Sequence, residues 1–237
     1  MKKPVQNPQP PMPRWLTQTL VVASFAVLTG LGAWSLVTWY RSNTVPLPYT
    51  TDTALREFSI ADESVRVPAN IVQLSSANVR QNIGQLDLTL LWPGLVGFSQ
   101  ENRDLFLTEA GARSLIFAAV EKRGNPADMT NRLENVYVPL FDGTPSDGPA
   151  GLTFQKLKAG VGYDGEQLAI YAGDDGVWAA RCQLESPNGP QVTTCLRDFH
   201  VGNNLVVRYR FATELLSQWR EIETAMREAA LKWVAQP

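Results

Sequence analysis

Past Glu63, apolar and polar residues alternate in short runs that predict strands. Leu86, Leu88 and Leu90 alternate with Asp87 and Thr89 within GQLDLTLLW, the period-two pattern of a sheet with one face on a core and one toward water. ESVRVPANIVQL from Glu63, SLIFAAVEK from Ser114 and GLTFQKL from Gly151 also read as strands. Farther along come EQLAIYAG, the turn GDDG, VWAARCQLE, VTTCLRDFHV, the turn GNN and LVVRYRF. The last three apolar runs predict a three-stranded antiparallel meander.

Helical periodicity is confined to fewer places. Ser99 is placed to cap a helix through QENRDLFLTEA, and ADMTNRLENVY reads as a second short helix ending before Pro139. The strongest pattern is TELLSQWREIETAMREAALKWV, where Leu215, Trp219, Ile222, Met226, Ala229 and Trp233 recur at spacings of four and three. Glu223 with Arg227 and Glu228 with Lys232 are i, i+4 pairs assigned to its other faces. Such a stripe either covers a sheet or presents Trp219, Met226 and Trp233 to a partner. Between the elements, WPGLVGF is a loop of large apolar residues that either plugs a core or forms an apolar surface.

The longest apolar run lies near the other end. Leu16 to Tyr40 is 25 residues without a charge, enough to cross the roughly 30 Å hydrocarbon layer with some tilt. Trp15 at one end, with Trp34, Trp39 and Tyr40 at the other, are the expected interfacial anchors. Ala26 and Gly30 form a small-xxx-small pair suited to helix packing in the membrane. The run is too long for the apolar region of a cleaved signal peptide, and LVTWYRSN follows it where a small-residue cleavage site would stand. An uncleaved signal anchor is expected. Lys2, Lys3 and Arg14 precede it and Arg41 stands alone after it, which sets the N-terminus in the cytoplasm and the rest outside.

The whole pattern predicts an α+β chain with an N-terminal single transmembrane helix. Residues 1–14 form a disordered, proline-rich cytoplasmic tail, 15–41 the transmembrane helix and 42–53 a linker. Residues 54–237 form one external domain, a mainly antiparallel sheet covered by a C-terminal amphipathic helix.

An external location changes the reading of the two cysteines. A hairpin symmetric about Asn188-Gly189 sets Cys182 directly opposite Cys195, within reach of a disulfide, and Pro187 and Pro190 widen the loop without moving the register. Disulfides persist outside the cytosol, so Cys182–Cys195 is expected to be bonded. No asparagine begins an N-x-[ST] sequon, which favours a bacterial periplasm over a glycosylating lumen. The predicted location is the bacterial inner membrane, single-pass, with a periplasmic domain.

Charge then excludes one class of partner. From Ser42 onward there are 17 Lys and Arg against 23 Asp and Glu, a net −6, and Lys122-Arg123 is the densest basic run. That is no footprint for nucleic acid. Candidate chemistry is sparse. His200, the single histidine, lies near Asp198, but no G-x-S-x-G elbow accompanies them. Cys182, Cys195, Asp198 and His200 match no zinc-knuckle spacing. The acidic turns FDGTPSDG, GYDGE and GDDG lack the spacing of a calcium loop. No catalytic residue, cofactor or metal is assigned. The expected function is that of an accessory or assembly subunit of an envelope complex, contacting the lipid bilayer and a membrane or periplasmic protein. The alternative is a tethered hydrolase or ligand-binding domain using the Asp-Gly loops.

Overall fold

The computed structural model describes residues 27–36, 48–73, 83–184 and 192–234. The chain divides into two compact units, Met1–Leu47 and Pro48–Pro237. In the first, residues 27–36 are helical and exposed, Gly30 and Trp34 among them. Trp15, Ala26, Trp39 and Tyr40 lie outside the described residues, as does most of the apolar run. Among the described residues no helix is long and apolar enough to cross a membrane.

The second unit opens with a hairpin of β1 (Leu55–Ile60) and β2 (Glu63–Pro68). The strands that follow are β3 (Gln85–Leu91), β4 (Leu115–Lys122), β5 (Phe141–Asp147), β6 (Thr153–Leu157), β7 (Glu166–Gly173), β8 (Gly176–Gln183), β9 (Thr194–Val201) and β10 (Leu205–Ala212). They form one antiparallel sheet in the order β3-β4-β10-β9-β8-β7-β6-β5. Two short helices, α1 (Arg103–Leu107) and α2 (Glu109–Ala112), precede β4, and α3 (Trp219–Trp233) closes the fold. This is the expected α+β architecture, with the meander at β8, β9 and β10.

One sheet face carries the main core. Leu86, Leu88 and Leu90 of β3, Val207, Tyr209 and Phe211 of β10, and Phe199 and Val201 of β9 meet the hairpin and α3 there. Trp219, Met226 and Trp233 are 4%, 0% and 6% exposed, so all three belong to this core and not to a partner surface. The physical reason is the width of the stripe: with Ile222 and Ala230 it spans the whole helix face that meets the sheet. Nor does the helix end protrude, because Val234 bridges Val65 of the hairpin. The hairpin is also tied to the β9–β10 turn, where Glu63 accepts the Asn203 and Asn204 N–H groups. Gly202 in that turn has φ +60°, and a Cβ there would lie 2.2 Å from the Glu63 carboxylate.

The opposite face is covered over only part of its width. Met129, Leu133 and Tyr137 pack on Leu157, Leu168 and Ala179 of β6, β7 and β8. The helix expected over ADMTNRLENVY is here a turn, one wide π-type turn at Leu133–Tyr137 and a 3₁₀ turn at Val138–Leu140. Pro139 has no N–H to donate back along the segment, which keeps it from continuing as a regular helix. The segment through QENRDLFLTEA likewise breaks into α1 and α2 at Thr108, whose hydroxyl caps the second. Ser99 and Asn102 exchange backbone-to-side-chain bonds ahead of α1.

Two strands escape the alternation pattern. β1 is exposed over its first half, and β5 is an edge strand built from the acidic run read as a turn. The register of β5 shifts between Asp142 and Ser146, and the Gln155 amide bonds the Asp142 and Gly143 carbonyls there. A bulged edge tolerates the Gly and Pro that argue against a regular strand. At WPGLVGF, Val96 pairs through backbone bonds with Leu91 at the end of β3, Phe98 is buried against Tyr49 and Phe106, and Val96 is exposed.

Cys182 and Cys195 are bonded, with Cα atoms 4.0 Å apart, and sit opposite each other in the β8–β9 register as the symmetric hairpin predicts. The turn residues 185–191 lie outside the described residues. Unreduced full-length protein should therefore take up no thiol-alkylating label under denaturing conditions, whereas labelling of both positions would contradict the bond. Replacing both cysteines by alanine should lower stability by about 2–3 kcal/mol in a urea titration, the scale for a loop this short.

Candidate functional site

The β8–β9 pairing stops almost as soon as it begins. Only Arg181↔Leu196 and Cys182↔Cys195 are paired, whereas β9 and β10 pair over their full lengths. Beyond the disulfide, the β8 carbonyls must find other donors. Arg197, 1% exposed, supplies one: its Nη1 donates to the Ala179 carbonyl at 3.1 Å. The rest of the guanidinium turns to Glu223 of α3, through Nη2 to Oε1 at 3.1 Å and Nε to Oε2 at 3.3 Å.

Glu223 gathers donors from three strands and its own helix. Oε2 also accepts from Tyr209 Oη at 2.6 Å and Trp178 Nε1 at 3.1 Å, and Oε1 accepts from Arg227 Nε at 2.6 Å. Burial alone would raise this carboxyl. The adjacent charge and hydrogen bonds of Arg197, helped by Arg227 and Tyr209, outweigh burial and hold it at about 2. Burial and the Glu223 charge push the Tyr209 hydroxyl well above its usual range. Around this network lies a cleft of about 500 Å³, walled by Trp178, Trp219, Tyr171 and Arg220. Arg220 lies 4.0 Å from the Tyr171 ring centroid and pairs with Asp175. The ionic groups of this cleft are largely committed to one another, so they act as structure.

A second groove, of about 590 Å³, occupies the uncovered half of the other face. Strand parity puts Leu196, Asp198 and His200 of β9 there, beside Val206, Arg208 and Arg210 of β10 and Glu121 of β4. Asp198 holds the wall: its Oδ1 accepts the Met129 N–H at 2.7 Å and its Oδ2 the Arg132 Nη2 at 2.6 Å. Tyr137 and Tyr163 meet edge to face at the same end, with Arg181 stacked 4.9 Å from the Tyr163 centroid. Burial raises the Tyr137 hydroxyl, partly offset by Arg132.

The groove has more cations than anions. Arg132 pairs with Asp198, Arg181 with Glu166 and Arg208 with Glu121. Arg210 is exposed and forms no ion pair among the described residues, and Arg123 donates to the neutral Asn203 carbonyl. Chemically, the surface is suited to binding anionic groups over an apolar floor.

Several sequence-level candidates are separated by the same parity. Cys182 and Cys195 lie in the core while Asp198 and His200 face the groove, so the four cannot share one ion. Asp175 of GDDG is engaged by Tyr171 and Arg220, and Asp164 of GYDGE caps the Gly160 N–H. Among the described residues no group of three or more His, Cys, Asp or Glu side chains is placed to hold a metal. Sequence reasoning missed Arg197 and assigned Glu223 to an outward face of α3, where the structure turns it toward the sheet. The signal was present: Arg197 interrupts the apolar series Cys195, Phe199, Val201, and Glu223 follows Trp219 by four and precedes Met226 by three.

Glu223→Gln should destabilise the domain by about 3–5 kcal/mol, because Arg197 would keep a buried charge without its partner. The native carboxyl lies below its ordinary 4.5, so the folded state binds fewer protons. Its contribution is complete above about 4.5 and is lost as pH falls toward about 2. Urea titrations across that window should show a steep loss of stability in the parent and a shallower one in the variant; equal slopes would contradict the assignment.

No protein-family model matches this chain, and no curated protein is a significant match. Among solved structures it is similar to an immunity protein of the Stenotrophomonas maltophilia type IV secretion system. Identity is 15%, over 78% of this chain and 94% of that one, with a TM-score of 0.53. It is also similar to the iron-regulated outer membrane lipoprotein FrpD of Neisseria meningitidis, at 14% identity over 80% of this chain and 96% of that one, with a TM-score of 0.45. The first likeness shows the α+β fold of the second unit to be one that occurs elsewhere.

Proposed function

We propose that this chain is a single-pass envelope protein whose external domain binds another protein without catalysis, as an accessory or assembly subunit of a membrane complex. The observation that carries this reading is the half-covered sheet. One face is filled by α3 and the hairpin, and the other leaves a polar, cation-rich groove open beside a fixed wall. A concave surface on a rigid sheet is suited to recognition. The same fold serving as an immunity protein of a secretion system supports an envelope-associated binding role.

The anchor is part of the proposal. The uncharged run from Leu16 to Tyr40, flanked by Trp15, Trp39 and Tyr40, supports an inner-membrane signal anchor with a cytoplasmic N-terminus and a periplasmic domain. The disulfide supports the same side of the membrane, since such bonds persist where thiols are not kept reduced. Ala26 and Gly30 are proposed to pack against a partner helix.

Protease added to spheroplasts should digest the chain beyond Arg41, and protection of that part would reverse the topology. A mild-detergent pull-down of the full-length protein should recover a stoichiometric partner. Exchanging the span for an unrelated one tests the role of Ala26 and Gly30, because loss of the partner is expected if the span is part of the interface. Recovery of no partner from either form would overturn the accessory-subunit reading.

A further inference from the structure

We propose that the open half of the sheet takes an extended, acidic segment of the partner protein, with its carboxylates seated on Arg208 and Arg210. The inference rests on the reading of the domain as a protein-binding module and names the chemistry of what that module binds.

Charge points to an acidic ligand. The chain beyond Ser42 is net negative, yet Arg123, Arg208 and Arg210 line one groove of the sheet. Arg208 is already oriented by Glu121 at 2.7 Å, and its side chain remains 48% exposed. A guanidinium has five N–H donors, so one carboxylate neighbour leaves capacity for another. Arg210 next to it is exposed and takes part in no ion pair among the described residues.

Spacing points to a polypeptide in extended form. Arg208 and Arg210 are two residues apart on one strand face, which places their Cα atoms about 6.6 Å apart, the repeat of same-face side chains along any extended chain. A segment reading Asp/Glu-x-Asp/Glu therefore matches them in register. Length fits as well. A smaller hollow of about 210 Å³ shares Leu196, Arg208 and Arg210 with the groove and carries it on to Phe117. The floor between the cations is apolar, with Leu196, Val206 and Phe117, and Phe117 is 37% exposed. The same-face Glu side chains of an extended segment would lay their methylene stems on this floor while their carboxylates meet the cations. Lipid phosphates would use the cations and leave this floor without a partner.

The test uses full-length protein in neutral detergent and a fluorescein-labelled peptide of alternating Glu and Val, beside the same peptide with Gln for Glu and vesicles containing phosphatidylglycerol. The Glu peptide should bind at least about ten-fold more tightly than the Gln peptide, with the difference shrinking at high salt. Arg208→Ala with Arg210→Ala should abolish that preference while melting like the parent. Arg210→Glu, at an exposed position, gives the same readout if the first pair unfolds. Equal binding of the two peptides, undiminished binding by the folded variants, or stronger retention by the vesicles would overturn the inference. In the pull-down, a partner held equally by parent and variant sinks this groove assignment and leaves the binding reading standing, whereas no partner at all sinks both.

Discussion

The carboxylate of Glu223 is the point on which the domain is assembled. It reaches β8, β9, β10 and α3 together, through Trp178, Arg197, Tyr209 and Arg227. A buried ion pair is weak support for stability when its donors and acceptors are left unfilled, but here the two carboxylate oxygens accept five hydrogen bonds between them. The arrangement also sets the position of the helix. Apolar packing alone would let α3 slide along the sheet by a fraction of a turn, whereas the four directional bonds from the strands fix one placement. The open β8 edge makes this necessary, since Arg197 must reach Ala179 where strand pairing has stopped.

From that fixed layer the asymmetry of the other face follows. The segment Met129–Tyr137 covers β6, β7 and β8, and Asp198 draws its first turn against β9. Nothing comparable reaches β10 and β4 among the described residues. Their outward positions are therefore free to carry arginine and lysine, which cost little at a wetted surface and would be expensive under a packed layer. The uncovered strip is thus a product of how far one short segment extends.

Most of the fold was legible in the sequence because its strands have one wet face. The alternation of Leu86, Leu88 and Leu90, the symmetric placement of Cys182 and Cys195, and the stripe of α3 each translate directly into the observed register. β1 and β5 were illegible for the opposite reason: an exposed first half and a bulged edge with Gly143 and Pro145 carry no periodic signal. The candidate site was less legible than the fold. Its cations come from β4, β8, β10 and the turn before Tyr137, so in the linear sequence they are scattered among acids and the net charge hides them. Glu223 and Arg227 show how local rules fall short. They form the expected i, i+4 pair, yet Glu223 is turned toward the sheet while Arg227 stays exposed, and only the arginine in β9 tells which way the carboxylate faces.

Arg197 and Asp198 are consecutive residues of β9, and alternation sends them to opposite sides of the sheet. One is bound to the helical layer at Glu223 and the other to the covering segment at Arg132 and Met129. The two outer layers of the domain are therefore riveted through a single peptide unit. A movement of either layer is felt at that unit, and the disulfide two residues upstream at Cys195 holds the strand beside it to β8.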